Sequence, residues 1–153
     1  MRRHMENEIK VFLDSSVILS AVFSQKGASY FILHEAMEVD LQMSEYVFRE
    51  IHKTIKNKFE ASQETLLNQV FVMLSEAQVS FVPNPGRSDL LNLEEYISKK
   101  DLPILSTALL HSDYLLTLDN EFFSDEIIEM AFHKKLTILK PGAFLRKFRG
   151  AIL

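Results

Sequence analysis

The chain contains no cysteine among its 153 residues. It can form no disulfide, no thiolate zinc site and no thiol nucleophile, and this suits a reducing cytosol, so the expected location is cytoplasmic. Glycine is almost as scarce, and Gly27, Gly86, Gly142 and Gly150 stand far apart. Isolated glycines cannot build the phosphate-cradling loop of a P-loop or dinucleotide-binding protein. No run of about 18 apolar residues occurs, so no membrane-spanning helix is expected. Arg2 and Arg3 precede an apolar stretch, but Glu6, Glu8, Lys10 and Asp14 interrupt it and no cleavage site of small residues follows, so no targeting segment is read there. The histidines, His4, His34, His52, His111 and His133, are scattered and show no HExxH spacing, which argues against a zinc hydrolase.

What is present describes an ordinary globule, with 47% hydrophobic and 25% charged residues. The length predicts one domain over residues 1–153, with 1–8 a flexible lead. A formal charge of −4 argues against a broad nucleic-acid-coating surface but leaves room for a small basic rim.

Hydrophobic periodicity alternates between strand and helix. Ile9 to Leu13 reads as a strand, Asp14-Ser15-Ser16 as a cap, and Val17 to Phe23 as a helix. A second helix carries Tyr30, Phe31, Leu33, His34 and Met37, and Leu41 to Met43 is a short strand. Ser44 caps a long helix with an apolar stripe of Val47, Phe48, Ile51, Ile55 and Phe59. A helix from about Gln63 to Ala77 follows, with Leu66, Leu67, Val70, Phe71 and Leu74 toward the core. Val79 to Val82 reads as a strand, broken by Pro83-Asn84-Pro85-Gly86. Helices are expected at about Asp89 to Ser98 and from Asp101 to His111, the latter with Pro103 in its first turn. Tyr114 to Leu118 and Leu136 to Leu139 are the last strands. A helical or irregular insertion, Asp125 to His133, lies between them, and a terminal helix opens at Pro141-Gly142. This alternation predicts a three-layer α/β/α sandwich around a mainly parallel sheet of four to five strands.

That topology gathers four acids. Ligands of such folds sit beyond the carboxyl ends of the strands. Asp14 and Asp119 end strands, Asp101 starts a helix, and Glu50 lies within two turns of its helix start. All four map to one rim. Asp113 does not, because the strand between it and Asp119 separates the two by roughly 20 Å.

Each acid also has an ordinary reading. Asp14 and Asp101 suit helix caps, Asp119 suits an Asx turn, and Glu50 lies about 100° from Ile51, at the solvated margin of its helix. Their joint placement outweighs these readings. Two carboxylates about 5 Å apart repel by roughly 3 kcal/mol at an effective dielectric of 20, and four contain several such pairs. Protonation or bound hard cations must relieve that repulsion.

The segments Val11-Phe12-Leu13-Asp14-Ser15-Ser16-Val17, Ser44 to Ile51, Asp101 with Leu105 and Ala108, and Asp113 to Asp119 together resemble the PIN domain family of nucleases. The resemblance runs from Ile9 to about Phe148. It implies an endoribonuclease dependent on Mg²⁺ or Mn²⁺, with Asp14, Glu50, Asp101 and Asp119 as the catalytic and metal-binding acids and Thr117 and Ser16 in support. Ser16 stands where many members have Asn, and Asn120-Glu121 replaces the charged pair often found after the last acid. The family also implies an RNA substrate and, as in many bacterial members, an antitoxin partner and a homodimer. Arg87, Lys99, Lys100 and Lys53 are the basic residues expected to meet RNA near the rim, with Lys56 and Lys58 further along the Glu50 helix.

Two other readings compete. One is a PIN-fold module that binds RNA or protein without cutting. The other is a phosphohydrolase of the haloacid dehalogenase type, which needs a second acid where this chain has Ser16.

Overall fold

The computed structural model describes residues 8–35 and 38–149. Residues 1–7 of the expected lead, His4, Met37 and Gly150 lie outside the described residues. Five strands, β1 (Ile9–Leu13), β2 (Val39–Met43), β3 (Ser80–Phe81), β4 (Tyr114–Leu116) and β5 (Thr137–Leu139), form one sheet in the order β3-β2-β1-β4-β5, with every neighbouring pair parallel. Helices α1 (Ser15–Phe23) and α2 (Ala28–His34) join β1 to β2, and α3 (Glu45–Lys58) and α4 (Gln63–Glu76) join β2 to β3. The return to β4 runs through α5 (Arg87–Leu91) and α6 (Leu102–His111); α7 (Asp125–His133) leads to β5, and α8 (Pro141–Arg149) follows it.

Parallel strands joined by right-handed crossovers place their helices on a face set by the direction of travel. The chain steps outward from β1 to β2 to β3, then returns to β4 and β5 on the other side of β1, so the helices divide between two faces. Helices α1 to α4 pack on one another and α8 joins them through α2, whereas α5 packs on α6 and α7 on β5. This is the expected three-layer sandwich. Val11, Phe12 and Leu13 are fully buried in consequence, without the alternation of a one-sided sheet.

The direction reverses between β1 and β4, and in open parallel sheets that switch point opens a crevice beyond the strand ends. Asp14 N–H donates to the Leu116 carbonyl (3.0 Å) and Thr117 N–H to that of Leu139 (3.2 Å), so the ladders continue to the lip of the crevice.

Three local expectations are corrected. The helix expected over Asp89 to Ser98 starts at Arg87 and ends at Leu91. Beyond it the chain turns through short i to i+3 bonds, Leu93 N–H to Leu90 and Tyr96 N–H to Leu93, which still bury Leu93 and Ile97 at helical spacing. Phe71 was expected in the core but is exposed, because Val70, Met73 and Leu74 form the buried face of α4 and Phe71 lies about 100° from Val70. Its ring rests against Phe48 (centroids 5.3 Å apart). Leu118 is exposed because β4 stops at Leu116 and the chain is already turning.

Candidate metal centre at the switch point

Asp14 follows the fully buried residues Val11, Phe12 and Leu13 and caps α1. Its carboxylate accepts from Ser15 N–H (2.7 Å), Ser16 Oγ (3.1 Å) and Thr117 Oγ1 (2.6 Å). Burial raises its pKa, the three hydrogen bonds oppose that rise, and the charge of Asp119 adds to it. Thr117 connects two of the acids, since the hydroxyl that donates to Asp14 also accepts from Asp119 N–H (3.0 Å). Ser16 Oγ accepts from Leu118 N–H (3.0 Å), tying the first turn of α1 to the same loop.

Asp119 accepts from Glu121 N–H (3.0 Å) and so caps a 3₁₀ turn over Asn120–Phe123. That turn carries Glu121 toward the loop before α6, where its Oε1 accepts from Ser98 N–H (2.7 Å). Asp101 holds the N-cap position of α6 but makes no capping bond, and its backbone is already helical (φ −97°, ψ −9°). The cap reading of Asp101 therefore fails, and its side chain meets other acids instead. Burial, the hydrogen bond to Glu121 and the charge of Asp119 push the Asp101 pKa up to about 8. The same bond, with the Ser98 N–H, lowers the Glu121 pKa. The opposite shifts of the two carboxyls make Asp101 the one that favours the protonated form.

Glu50 lies on α3, half-buried beside the stripe of Val47, Ile51 and Ile55. Burial and the nearby Asp14 charge push its pKa up to about 7 against the opposing Lys100 charge and Ser15 hydrogen bond; Asp119 adds to the rise. Its Oε1 is buried without a hydrogen-bond partner. One turn earlier, Tyr46 donates its hydroxyl to the Lys100 carbonyl (2.6 Å), which fastens the loop carrying Asp101 to α3. Burial raises the pKa of this phenol, with further contributions from Glu50, Asp101 and Asp14.

The four expected acids thus feel one another's charge at one rim. Asp101, Asp119 and Glu121 each offer an oxygen, and those oxygens lie within 4.8 Å of one another. Three oxygen donors so close could hold a hard divalent ion; Asp14 and Glu50 lie outside that group of three and are linked to it through the charge of Asp119, with one buried Glu50 oxygen unsatisfied. Of the expected basic residues, Lys100 is near enough for its charge to act on Glu50, Asp101 and Glu121. Arg87, Lys99 and Lys53 are exposed, and among the described residues they form no ion pair with these acids. Asp113 sits at the opposite rim, accepting from Lys10 N–H (2.9 Å).

Glu121, Ser98 and Tyr46 were not among the site residues expected from the sequence, although Tyr46 lies within a segment that carries the resemblance and Asn120-Glu121 directly follows another. Glu121 left a signal, an acid two residues beyond Asp119 within a turn that Asp119 itself caps.

No family model matches the sequence, and no curated protein does. Solved structures do match. One is VapBC2 from Rickettsia felis bound to a DNA fragment from their promoter, at 16% identity and a TM-score of 0.62, covering 86% of this chain and 98% of that one. Another is PAE2754 from Pyrobaculum aerophilum, at 13% identity and a TM-score of 0.62, covering 93% of this chain and 96% of that one. Both are PIN-type proteins, and the likeness spans most of all three chains. The parallel sheet, its switch point and these neighbours agree that the chain has the PIN-domain fold.

Proposed function

We propose that the protein is a cytoplasmic endoribonuclease that hydrolyses phosphodiester bonds of RNA with Mg²⁺ or Mn²⁺, and that it is the toxin of a toxin–antitoxin pair. The observation that carries the reading is the convergence of Asp101, Asp119 and Glu121 oxygens within 4.8 Å, beside Asp14 and Glu50. Asp14, Glu50, Asp101, Asp119 and Glu121 are the residues that would hold the ion. When bound, a divalent ion supplies a nucleophilic water at neutral pH and stabilises charge developing on the phosphoryl group.

The remaining roles belong to the chain. Thr117 sets the orientation of Asp14 and the start of the Asp119 turn with one hydroxyl. Asp101, with its raised pKa, would give up a proton on holding the ion, which would exchange a proton for a cation without raising the local negative charge. Glu50, its pKa pushed up to about 7 and one oxygen unpartnered, would have that oxygen to offer to the ion or to a water beside it. Lys100 and a phosphate attract each other at the edge of this acidic centre.

The test is cleavage of single-stranded RNA by the purified protein. Cleavage is expected with Mg²⁺ or Mn²⁺, lost in EDTA and restored by excess metal. Cleavage that persists in EDTA sinks the mechanism, and RNA binding without cleavage under any divalent ion favours a non-catalytic module. The toxin role predicts growth arrest on expression, relieved by co-expressing the adjacent gene.

A further inference from the structure

The last acid in the chain is Glu129. Residues 130–153 contain six of the 17 Lys and Arg and none of the 21 Asp and Glu, so this segment carries +6 in a chain of net charge −4. All six, Lys134, Lys135, Lys140, Arg146, Lys147 and Arg149, are exposed. Ordinary solvated helix faces mix the two signs. The dipole of α8 accounts for basic residues in its last turn, Arg146, Lys147 and Arg149, but not for the other three.

The fold spreads these charges over β5 and α8, from Lys140 at the acidic rim to Lys134 and Lys135 at the amino end of β5, with α8 reaching toward β4 and α2. Lys140 leaves the carboxyl end of β5 at the acidic rim, with Nζ 3.4 Å from Asn120 Oδ1 and 5.4 Å above the Phe123 ring. Asn120 adjoins Asp119. The guanidinium of Arg146 folds back over the first turn of α8, where a Cβ on Gly142 would stand 3.6 Å from it. Lys147 lies 5.1 Å over the Tyr114 ring, at the start of β4, and Arg149 lies 4.7 Å over Phe31. Lys134 and Lys135 precede β5, beside the exposed ring of Phe132. Rings fix several cationic heads while leaving them in water, and a bare aromatic beside them is a stacking platform.

We propose that this basic edge of β5 and α8 is the track on which the phosphate backbone of single-stranded RNA lies as it approaches the acidic rim. The direction of the strand rests on the ribonuclease reading of that rim; the binding does not. Continuity through Lys140 and Asn120 to Asp119 favours a nucleic-acid strand over an acidic protein segment, which needs no path to the acids.

The experiment measures binding of a fluorescent 20-nucleotide single-stranded RNA in EDTA across a salt series. Six phosphate contacts give a slope of log affinity against log salt of about −4. The triple variant Lys140→Gln/Lys147→Gln/Arg149→Gln removes three exposed charges outside the core, and a melting temperature within a few degrees of wild type, on the order of the small effect of surface substitutions, shows that it is folded. Its slope falls to about −2 and its affinity at 0.1 M salt by about 100-fold. The comparison variant Arg87→Gln/Lys99→Gln/Lys53→Gln changes the net charge equally and loses less. The proposal is overturned if the second triple loses more affinity than the first, if the first leaves the slope unchanged, or if poly-glutamate of equal length binds the wild type as tightly as RNA. Lost binding in the first triple alongside a wild type that never cleaves supports the track and removes the nuclease reading. Intact binding in that triple with metal-dependent cleavage does the reverse.

Discussion

The two rims of the sheet both carry buried or half-buried acids, and they treat them oppositely. At the amino-end rim Asp40 is buried, with Ser80 Oγ donating to one carboxylate oxygen (3.0 Å) and Gln42 Nε2 to the other (3.2 Å). Ser112 in turn donates to Gln42 (2.7 Å), and Asp113 accepts from Lys10 N–H. At the carboxyl-end rim, acids face acids. Glu50 and Asp101 have raised pKa values, and Glu50 keeps an unpartnered oxygen. A carboxylate supplied with donors is structural, whereas one crowded by its own kind awaits a cation or a proton.

The sharpest test of that contrast exchanges one acid at each rim. Asp14→Asn should lower metal-dependent RNA cleavage by roughly 10²- to 10³-fold, the several kcal/mol a misplaced ion forfeits at about 1.36 kcal/mol per tenfold. Asp113→Asn should leave cleavage unchanged. Asp40→Ala should destabilise the fold by about 1–3 kcal/mol, because Ser80 and Gln42 lose a buried acceptor, yet leave cleavage by the folded fraction intact. Equal losses of cleavage in the Asp14 and Asp113 variants would break the contrast.

A smaller effect isolates the shared hydroxyl. Thr117→Val preserves shape but removes the donor to Asp14 and the acceptor for Asp119 N–H. Supporting groups around a metal are worth about 10- to 100-fold, so cleavage should fall by that factor, and Thr117→Ser should restore most of it. Failure of serine to rescue would mean that packing matters at Thr117 more than its hydrogen bonds.

Much of this rim was legible in the sequence, for reasons that differ from residue to residue. Asp14 and Asp119 were placed by buried strands whose ends are marked by capping residues, and Asp113 was set apart by the length of the strand between. Glu50 followed from the apolar stripe of α3, at whose margin it stands. Asp101 was legible as a position but not as a conformation: a first-turn proline signals a helix start, while the missing cap bond depends on Glu121 arriving from elsewhere. Glu121 itself was hidden because its reach is set by a 3₁₀ turn, and such turns leave little periodicity to read. The short α5 was hidden for the converse reason, since Leu93 and Ile97 keep a helical spacing through turns that are not helical. Phe71 shows that an apolar residue beside a stripe need not belong to it.

The final contrast concerns pH. Folding raises Glu50 from 4.5 to about 7 and Asp101 from 3.8 to about 8, so between roughly pH 4 and 8 the folded chain retains protons that the unfolded chain has released. Stability then falls as pH rises across that window, being fullest below about pH 4 with respect to these groups and lost above about pH 8. A divalent ion replaces those protons, so its stabilising effect must run the other way and grow with pH. At a hundred times its dissociation constant an ion adds about 2.7 kcal/mol, which for a chain of this size is a rise in melting temperature of roughly 5–10 °C. Thermal melts with Mn²⁺ and with EDTA should therefore diverge at pH 8 and nearly coincide at pH 5. The double variant Glu50→Gln/Asp101→Asn should reduce the metal-free pH dependence, leaving the part due to Asp14, and abolish the Mn²⁺ shift. If the shift survives in that variant, the ion binds elsewhere, and the crowded acids of this rim are relieved by protons alone.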